Sequence, residues 1–327
     1  MHYRPFGKTG WDVSDVSFGA WAIGGSWGTV DDDASRRALH RAIDLGTNFI
    51  DTADVYGDGR SERLVADVLR SRSERVWVAT KAGRRLSPHT AEGYTLDNLR
   101  AFVDRSRQHL AVDTIDLLQL HCPPTAVYSD ARVFDALDTL VEQRWITHYG
   151  VSVETVEEAL TAIRQHPRVA SVQIILNALR LKPTEVFLAE AQERGVAVIA
   201  RVPLASGLLT GKLSAASSFP PDDHRTFNRF GESFDVGETF SGVPLEFAFE
   251  AVEALRPAVP AGWSMAQFAL AWVLSQPGTS CVIPGAKTEQ QVEDNAAASG
   301  RSLDDSALAL VRSVYDHVVR PHVHHRW

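Results

Sequence analysis

The chain has 327 residues, 44% of them hydrophobic, and sets 33 Lys and Arg against 41 Asp and Glu for a net charge of −8. That length suits one large α/β barrel or two modest domains, and the apolar fraction is enough for a sizeable core. The acidic balance disfavours nucleic acid or an anionic membrane as partner, so the ligand to look for is small. Two cysteines far apart in the chain, Cys122 and Cys281, fit a reducing compartment and core packing better than a disulfide framework. Met1 to Thr9 holds no apolar h-region and nowhere do eighteen apolar residues run together, so a cytoplasmic protein without a membrane segment is expected.

Taken in order, Tyr3 to Phe6 and Val13 to Phe18 read as short extended segments around Gly7-Lys8-Thr9-Gly10, an N-terminal β-hairpin leading into a first buried strand that ends near Phe18-Gly19-Ala20-Trp21. Asp31-Asp32-Asp33 precedes an amphipathic run from Ala34 to Leu45 and suits an N-terminal cap. Strands are then expected at 47–51, 75–81, 115–121, 146–152, 172–176, 196–201 and 281–284, each pair separated by a helical pattern. Eight strands alternating with helices force parallel pairing, and no composition break divides the chain. The fold class expected is therefore α/β, a (β/α)8 TIM barrel forming a single domain over 1–327. Two additions are expected: a long connection after the seventh strand, 203–243, read as a mobile loop over the barrel mouth, and an extra C-terminal helix, 304–319, followed by the tail RPHVHHRW.

Three consecutive strands end in Asp51, Lys81 and His121, and Tyr56 stands in the loop after the first of them. In a barrel these ends share one rim, which would bring an acid, an amine, an imidazole and a phenol together. A phenol with a reference pKa of about 10 is a poor acid at neutral pH. A neighbouring ammonium lowers that pKa, a carboxylate fixes the ammonium, and an imidazole can hold a substrate oxygen in line. The set suits protonation of a carbonyl oxygen while its carbon is attacked. Each member alone also has a plain structural reading: Lys81 as a solvated strand end, His121 as a satisfied core histidine, Asp51 as a turn former.

The stretches FIDTADVYG with SERLVADVL behind it, VATKAG around Lys81, DLLQLH before the proline pair, GVS at Gly150 to Ser152 and IPGAKTEQQVEDN at Ile283 to Asn295 resemble the aldo-keto reductase family, in order and through nearly the whole chain. The resemblance implies a barrel binding NADPH/NADP+ without a dinucleotide fold, and the absence of GxGxxG after a strand agrees. It implies Tyr56 as general acid, Asp51 and Lys81 as the pair that sets its pKa, and His121 as orienter of the carbonyl. It also implies cofactor contacts from Gly19, Ala20 and Trp21, from Ser152, Gln173 and Asn177 to the carboxamide, and from Arg201. Pro203, Leu204, Gly207, Leu209, Thr210, Gly211 and Lys212 would cross the pyrophosphate, and Gly285, Lys287, Gln291 and Asn295 would meet the adenosine end, with Lys287 favouring a 2′-phosphate. Trp21, Trp27 and Tyr128 are candidates for the substrate pocket or for barrel packing.

Two positions depart from the family pattern. Val153 follows GVS where many relatives carry asparagine, and Arg201 stands where many place an aromatic ring on the nicotinamide. A charged guanidinium there would favour the neutral reduced ring over the pyridinium. The GLLTGK string lacks one residue and the terminal hydroxyl of a P-loop, which argues against triphosphate hydrolysis. No His, Asp or Glu cluster has ligand spacing, so no metal is expected. The partner expected is a small carbonyl compound. An NADPH-binding redox sensor or accessory subunit with little turnover is the alternative on the same barrel.

Overall fold

Side chains alternate along a β-strand, so one choice of face fixes what points into a closed barrel and what points at the surrounding helices. The computed structural model describes residues 1–327. Strands β1 (Tyr3–Pro5) and β2 (Asp12–Ser14) form the expected antiparallel hairpin. The barrel strands follow as β3 (Phe18–Gly19), β4 (Phe49–Asp51), β5 (Trp77–Ala82), β6 (Ile115–His121), β7 (Ile146–Ser152), β8 (Ser171–Ile175), β9 (Ala197–Arg201) and β10 (Thr279–Val282). They lie side by side in chain order, every neighbouring pair parallel. Parallel bridges Val16 to Val282 and Gly19 to Gly285 join the two edges. From β4 onward the strand ends differ from the expected ones by no more than two residues.

Inside, Phe49, Ala79, Leu117, Ile199 and Cys281 pack on Phe6, which the N-terminal hairpin inserts as a plug. The next inward positions along those strands are Asp51, Lys81, Gln119 and Arg201, with His121 one further step along β6. The lower barrel is thus apolar and its C-terminal rim is polar. His148, at the lower end of β7, lies edge-on to Trp11 at 5.0 Å, where it fills the barrel rather than facing the rim. Outward residues such as Leu118, Leu120, Val151 and Val172 bury under the helices. Asp31 caps the helix Asp32–Asp44 by accepting from the Ala34 N–H at 2.7 Å.

The 203–243 connection is folded against the rim in short turns, with His224, Asn228, Glu238 and Ser241 buried. Asn228 Oδ1 accepts from the backbone N–H of Ser233 and Phe234, and its Nδ2 donates to Thr239, so side-chain amides stand in for regular structure. The helix Leu245–Leu255 that follows was not anticipated; it buries Ala248, Ala251, Val252 and Leu255 at helical spacing. At the C-terminus the helix Asp305–Val314 widens into a π-turn at Tyr315–Val319 before a last turn at Arg320–Val323. No helix is long and apolar enough to cross a membrane.

The tail turns back to the long connection. Trp327 Nε1 donates to Asp235 at 3.0 Å while its ring covers the Arg180 guanidinium at 3.6 Å. A Cβ at Gly242 would lie 2.2 Å from the indole, which is why only glycine fits under it. Asp235 in turn caps the turn carrying Glu238. Trp327→Ala is expected to speed amide exchange across 235–242 by about tenfold while the barrel strands keep their protection, the loss of one hydrogen bond and its ring contact. Equal protection in both regions would show that the indole does not hold this turn.

Candidate active site

Asp51 ends β4 and is 2% exposed; Lys81, on β5, is fully buried beside it. Lys81 Nζ donates to Asp51 Oδ2 at 2.5 Å and to the Thr52 carbonyl at 2.8 Å, leaving its third proton for Tyr56 Oη at 3.3 Å. Tyr56 is held in the loop by close backbone packing: a Cβ at Gly24 would meet Tyr56 Cβ at 2.7 Å, and one at Gly57 would meet the Gly24 carbonyl at 2.1 Å. The Tyr56 and His121 rings meet edge to face at 5.9 Å. Four groups separated by up to seventy residues thus share one rim, as the strand-end reading anticipates.

Their protonation states follow from burial and neighbours. Burial pushes the Tyr56 phenol up, and this outweighs the downward pull of Lys81, with Asp51 and Glu238 adding to the rise. The expected lowering by the ammonium is therefore present as a component and overridden in the whole, because desolvation of a phenolate costs more than one shared proton returns. Burial opposes the charge on Lys81, yet Asp51 and Tyr56 hold its pKa above the ordinary 10.5. His121 is pushed well below the usual imidazole value by burial and by Arg84 and Lys81, so it is neutral. Its Nδ1 is buried with no partner in the protein.

A cavity of about 440 Å³ opens at these groups. Tyr56, Asp51 and His121 line it, and Lys81 stands behind them, bonded to Tyr56 and Asp51. Of the expected cofactor residues, Gly19, Trp21, Ser152, Gln173, Arg201, Pro203, Leu204, Gly207, Thr210, Lys212, Gly285, Lys287, Gln291 and Asn295 line the same cavity, and so does Trp27. Others do not. Asn177 is buried and fully used: Nδ2 donates to the Val202 carbonyl and to Ser241, and Oδ1 accepts from the Leu179 N–H, so it anchors the long connection. Tyr128 is buried behind the rim, its hydroxyl donating to the Ser152 carbonyl at 2.9 Å, and forms no pocket wall. Ala20 and Leu209 point into the core, and Gly211 lies outside the cavity wall.

The cavity also contains residues that sequence reasoning missed. Ser206, Arg225, Glu238, Ser264 and Asp294 line it. Arg225 adds a second cation to the end where Lys287 stands; it is paired with Asp223 at 2.7 Å. The Lys287 ammonium donates to the Trp27 carbonyl, and its backbone N–H donates to Gln291 Oε1. No motif marks Arg225 or Glu238, since they arrive on an irregular connection.

Arg201 proves to be a paired cation. It donates to Glu154 Oε2 at 2.8 Å and to the Val153 carbonyl at 3.0 Å, with Glu238 3.7 Å away. Arg84 completes the cluster by bonding Glu238 and Glu154. Burial drives the Glu154 carboxyl up, while Arg84 and Arg201 overcome burial to hold Glu238 down, so of the two carboxyls Glu154 is the one that takes up a proton first as pH falls. The expectation that Arg201 repels a pyridinium rested on an unpaired charge; here Arg201 shares Glu154 and Glu238 with Arg84. Cys122, Glu154 and Glu238 approach metal-ligand spacing, but the two guanidiniums occupy the place of a cation.

The aldo/keto reductase family model matches residues 15–316. The chain is 30% identical over 320 residues to the uncharacterized oxidoreductase YqkF of Bacillus subtilis (strain 168), covering 96% of each. It is 28% identical to a probable voltage-gated potassium channel subunit beta of Arabidopsis thaliana, covering 91% of each. Among solved structures it resembles an aldo-keto reductase from Klebsiella pneumoniae in complex with NADPH, with a TM-score of 0.73, 23% identity and 96% of each chain covered. With most of its length matched and an oxidoreductase relative aligned nearly end to end, the chain belongs to the aldo/keto reductase family.

Proposed function

We propose that this chain reduces an aldehyde or ketone to the alcohol, reversibly, with NADPH as reductant and Tyr56 as proton donor. The observation that carries the reading is the Tyr56 hydroxyl in the cavity wall beside His121, with Lys81 at 3.3 Å and Asp51 behind it. The residues present suit the cofactor: Ser152 and Gln173 offer hydrogen bonds to a carboxamide, and Lys212, Arg225 and Lys287 offer cations to phosphates. When bound, the reduced nicotinamide supplies the hydride. The neutral His121 holds the carbonyl oxygen within reach of Tyr56, whose protonated phenol delivers the proton as the oxygen gains charge. Lys81 then stabilises the phenolate left behind, and Asp51 keeps Lys81 charged. Tyr56, Trp21, Trp27 and His121 form an aromatic wall that limits water at the reacting carbon.

Lys287 at the far end of the cavity favours a 2′-phosphate. Lys287→Met is expected to raise the NADPH dissociation constant by about tenfold or more and to leave that for NADH nearly unchanged, the loss of one charge-assisted hydrogen bond. Fluorescence titration of both nucleotides checks it, and an equal change for both would remove Lys287 from that role. The similarity to a channel subunit beta favours a second reading, an NADPH-binding sensor or accessory subunit with slow turnover. Tight NADPH binding without oxidation on any carbonyl compound would support it.

A further inference from the structure

One inward residue of the polar rim has no part in the proton path described above. Gln119, on β6, is fully buried, and its register partner on β5 is Lys81. Its Nε2 donates to Asp51 Oδ1 at 2.9 Å. Gln173 Nε2 donates to the same oxygen at 2.7 Å, and also lies 3.3 Å from Gln119 Oε1. Asp51 Oδ2 is committed to Lys81.

We infer that Gln119 is a positioning residue that sets two parts of the site at once: the aim of Asp51 at Lys81, and the orientation of the Gln173 amide in the cavity wall. An ionised carboxylate only accepts hydrogen bonds, so each glutamine must turn its NH2 group to Asp51. For Gln119 this leaves Oε1 facing Gln173, where it accepts the second N–H. Both amide protons of Gln173 are then spent inside the barrel, and its Oε1 has no hydrogen-bond partner in the protein. The cavity is therefore offered an acceptor, not a donor, at Gln173. A nicotinamide carboxamide would meet it through its own NH2 group, which selects one of the two ways that group can face. Without Gln119, Gln173 regains a free N–H and can turn over, and Asp51 loses one of the two donors that hold it in line with Lys81.

This rests on the reductase reading, and the test separates the two. The probes are NADPH and 2′,5′-ADP, which shares the adenosine end and lacks the nicotinamide. Gln119→Met keeps the shape and removes both polar atoms. It is expected to weaken NADPH binding by about five- to tenfold and to leave 2′,5′-ADP binding within about twofold, as the loss of one buried hydrogen-bond partner requires. Turnover should fall further than affinity, since Tyr56 also depends on Asp51 and Lys81. In Gln119→Glu the new carboxyl donates to Asp51 only while protonated. Its NADPH affinity, taken relative to the unaltered chain at the same pH, should therefore recover as pH falls. Equal weakening of both probes would reduce Gln119 to a fold-holding residue and overturn the inference, as would unchanged NADPH binding and turnover in Gln119→Met. Failure of the unaltered chain to bind NADPH while binding 2′,5′-ADP would strike the reductase reading itself, and this inference with it.

Discussion

Tyr56→Phe is expected to bind NADPH as the unaltered chain does and to lose about 10²–10⁴-fold in turnover, the usual contribution of a positioned general acid. The ring stays, so its stacking on Trp21 and its contact with His121 stay as well. Only the oxygen goes, and with it the one proton that Lys81 positions toward the cavity. Burial raises the phenol's pKa, so at neutral pH the hydroxyl is fully protonated and ready to donate in the direction of reduction. Steady-state kinetics on any accepted aldehyde, with a fluorescence titration of NADPH beside it, separates the two quantities. Turnover within a few-fold of the unaltered chain would remove Tyr56 from the proton-donor role.

Lys81→Met carries the second large effect, and it is felt in stability as well as rate. The substitution leaves the Asp51 carboxylate buried with its two glutamine donors and no cation. Breaking one partner out of a buried ion pair costs about 3–5 kcal/mol. The Lys81 pKa is raised in the folded chain, so the contribution of its charge is fully present at neutral pH and is lost as pH climbs from about 10.5 through the folded value. Urea denaturation at neutral pH is therefore the right comparison. A loss under about 1 kcal/mol would show that Asp51 escapes the penalty, by taking up a proton or turning to water. Turnover should fall at least as far as in Tyr56→Phe, because the phenolate left after proton transfer has lost its ammonium.

How much of this was legible from residues alone depends on how local the signal is. The strands were, since runs such as Ile115 to Leu120 between turn residues need no tertiary knowledge, and Asp51, Lys81 and His121 stand out as polar ends of apolar runs. Convergence of the three followed from barrel topology. Gln119 was invisible because it sits inside such a run, where a lone amide reads as a tolerated core residue; its partners come from β4 and β8. Asn177 misled for the opposite reason. It follows a strand, like a rim residue, yet the long connection folds over it and consumes its amide. Tyr128 was placed in a rim loop, but the turn Thr125–Ser129 directs it into the core.

The helix Leu245–Leu255 was legible and missed. Its apolar residues recur at helical spacing, but it begins where the irregular connection ends and has no side-chain cap to announce it. The Arg84–Glu154–Arg201–Glu238 cluster could not be read from sequence, since its members come from the ends of three strands and from the connection. Its arrangement corrects the view of Arg201 as a free charge. That correction came from tertiary pairing, which no single position records.

On the proposed reading this cavity binds NADPH and spends it on a carbonyl carbon. The most direct measurement is a fluorescence titration of the purified chain with NADPH, followed in the same cuvette by the decay of NADPH absorbance after a panel of aldehydes is added. Saturable binding and NADPH oxidation with at least one aldehyde are expected, the oxidation falling by about 10²–10⁴-fold in Tyr56→Phe. Saturable binding with no oxidation on any of them, or oxidation in Tyr56→Phe within a few-fold of the unaltered chain, would overturn this reading.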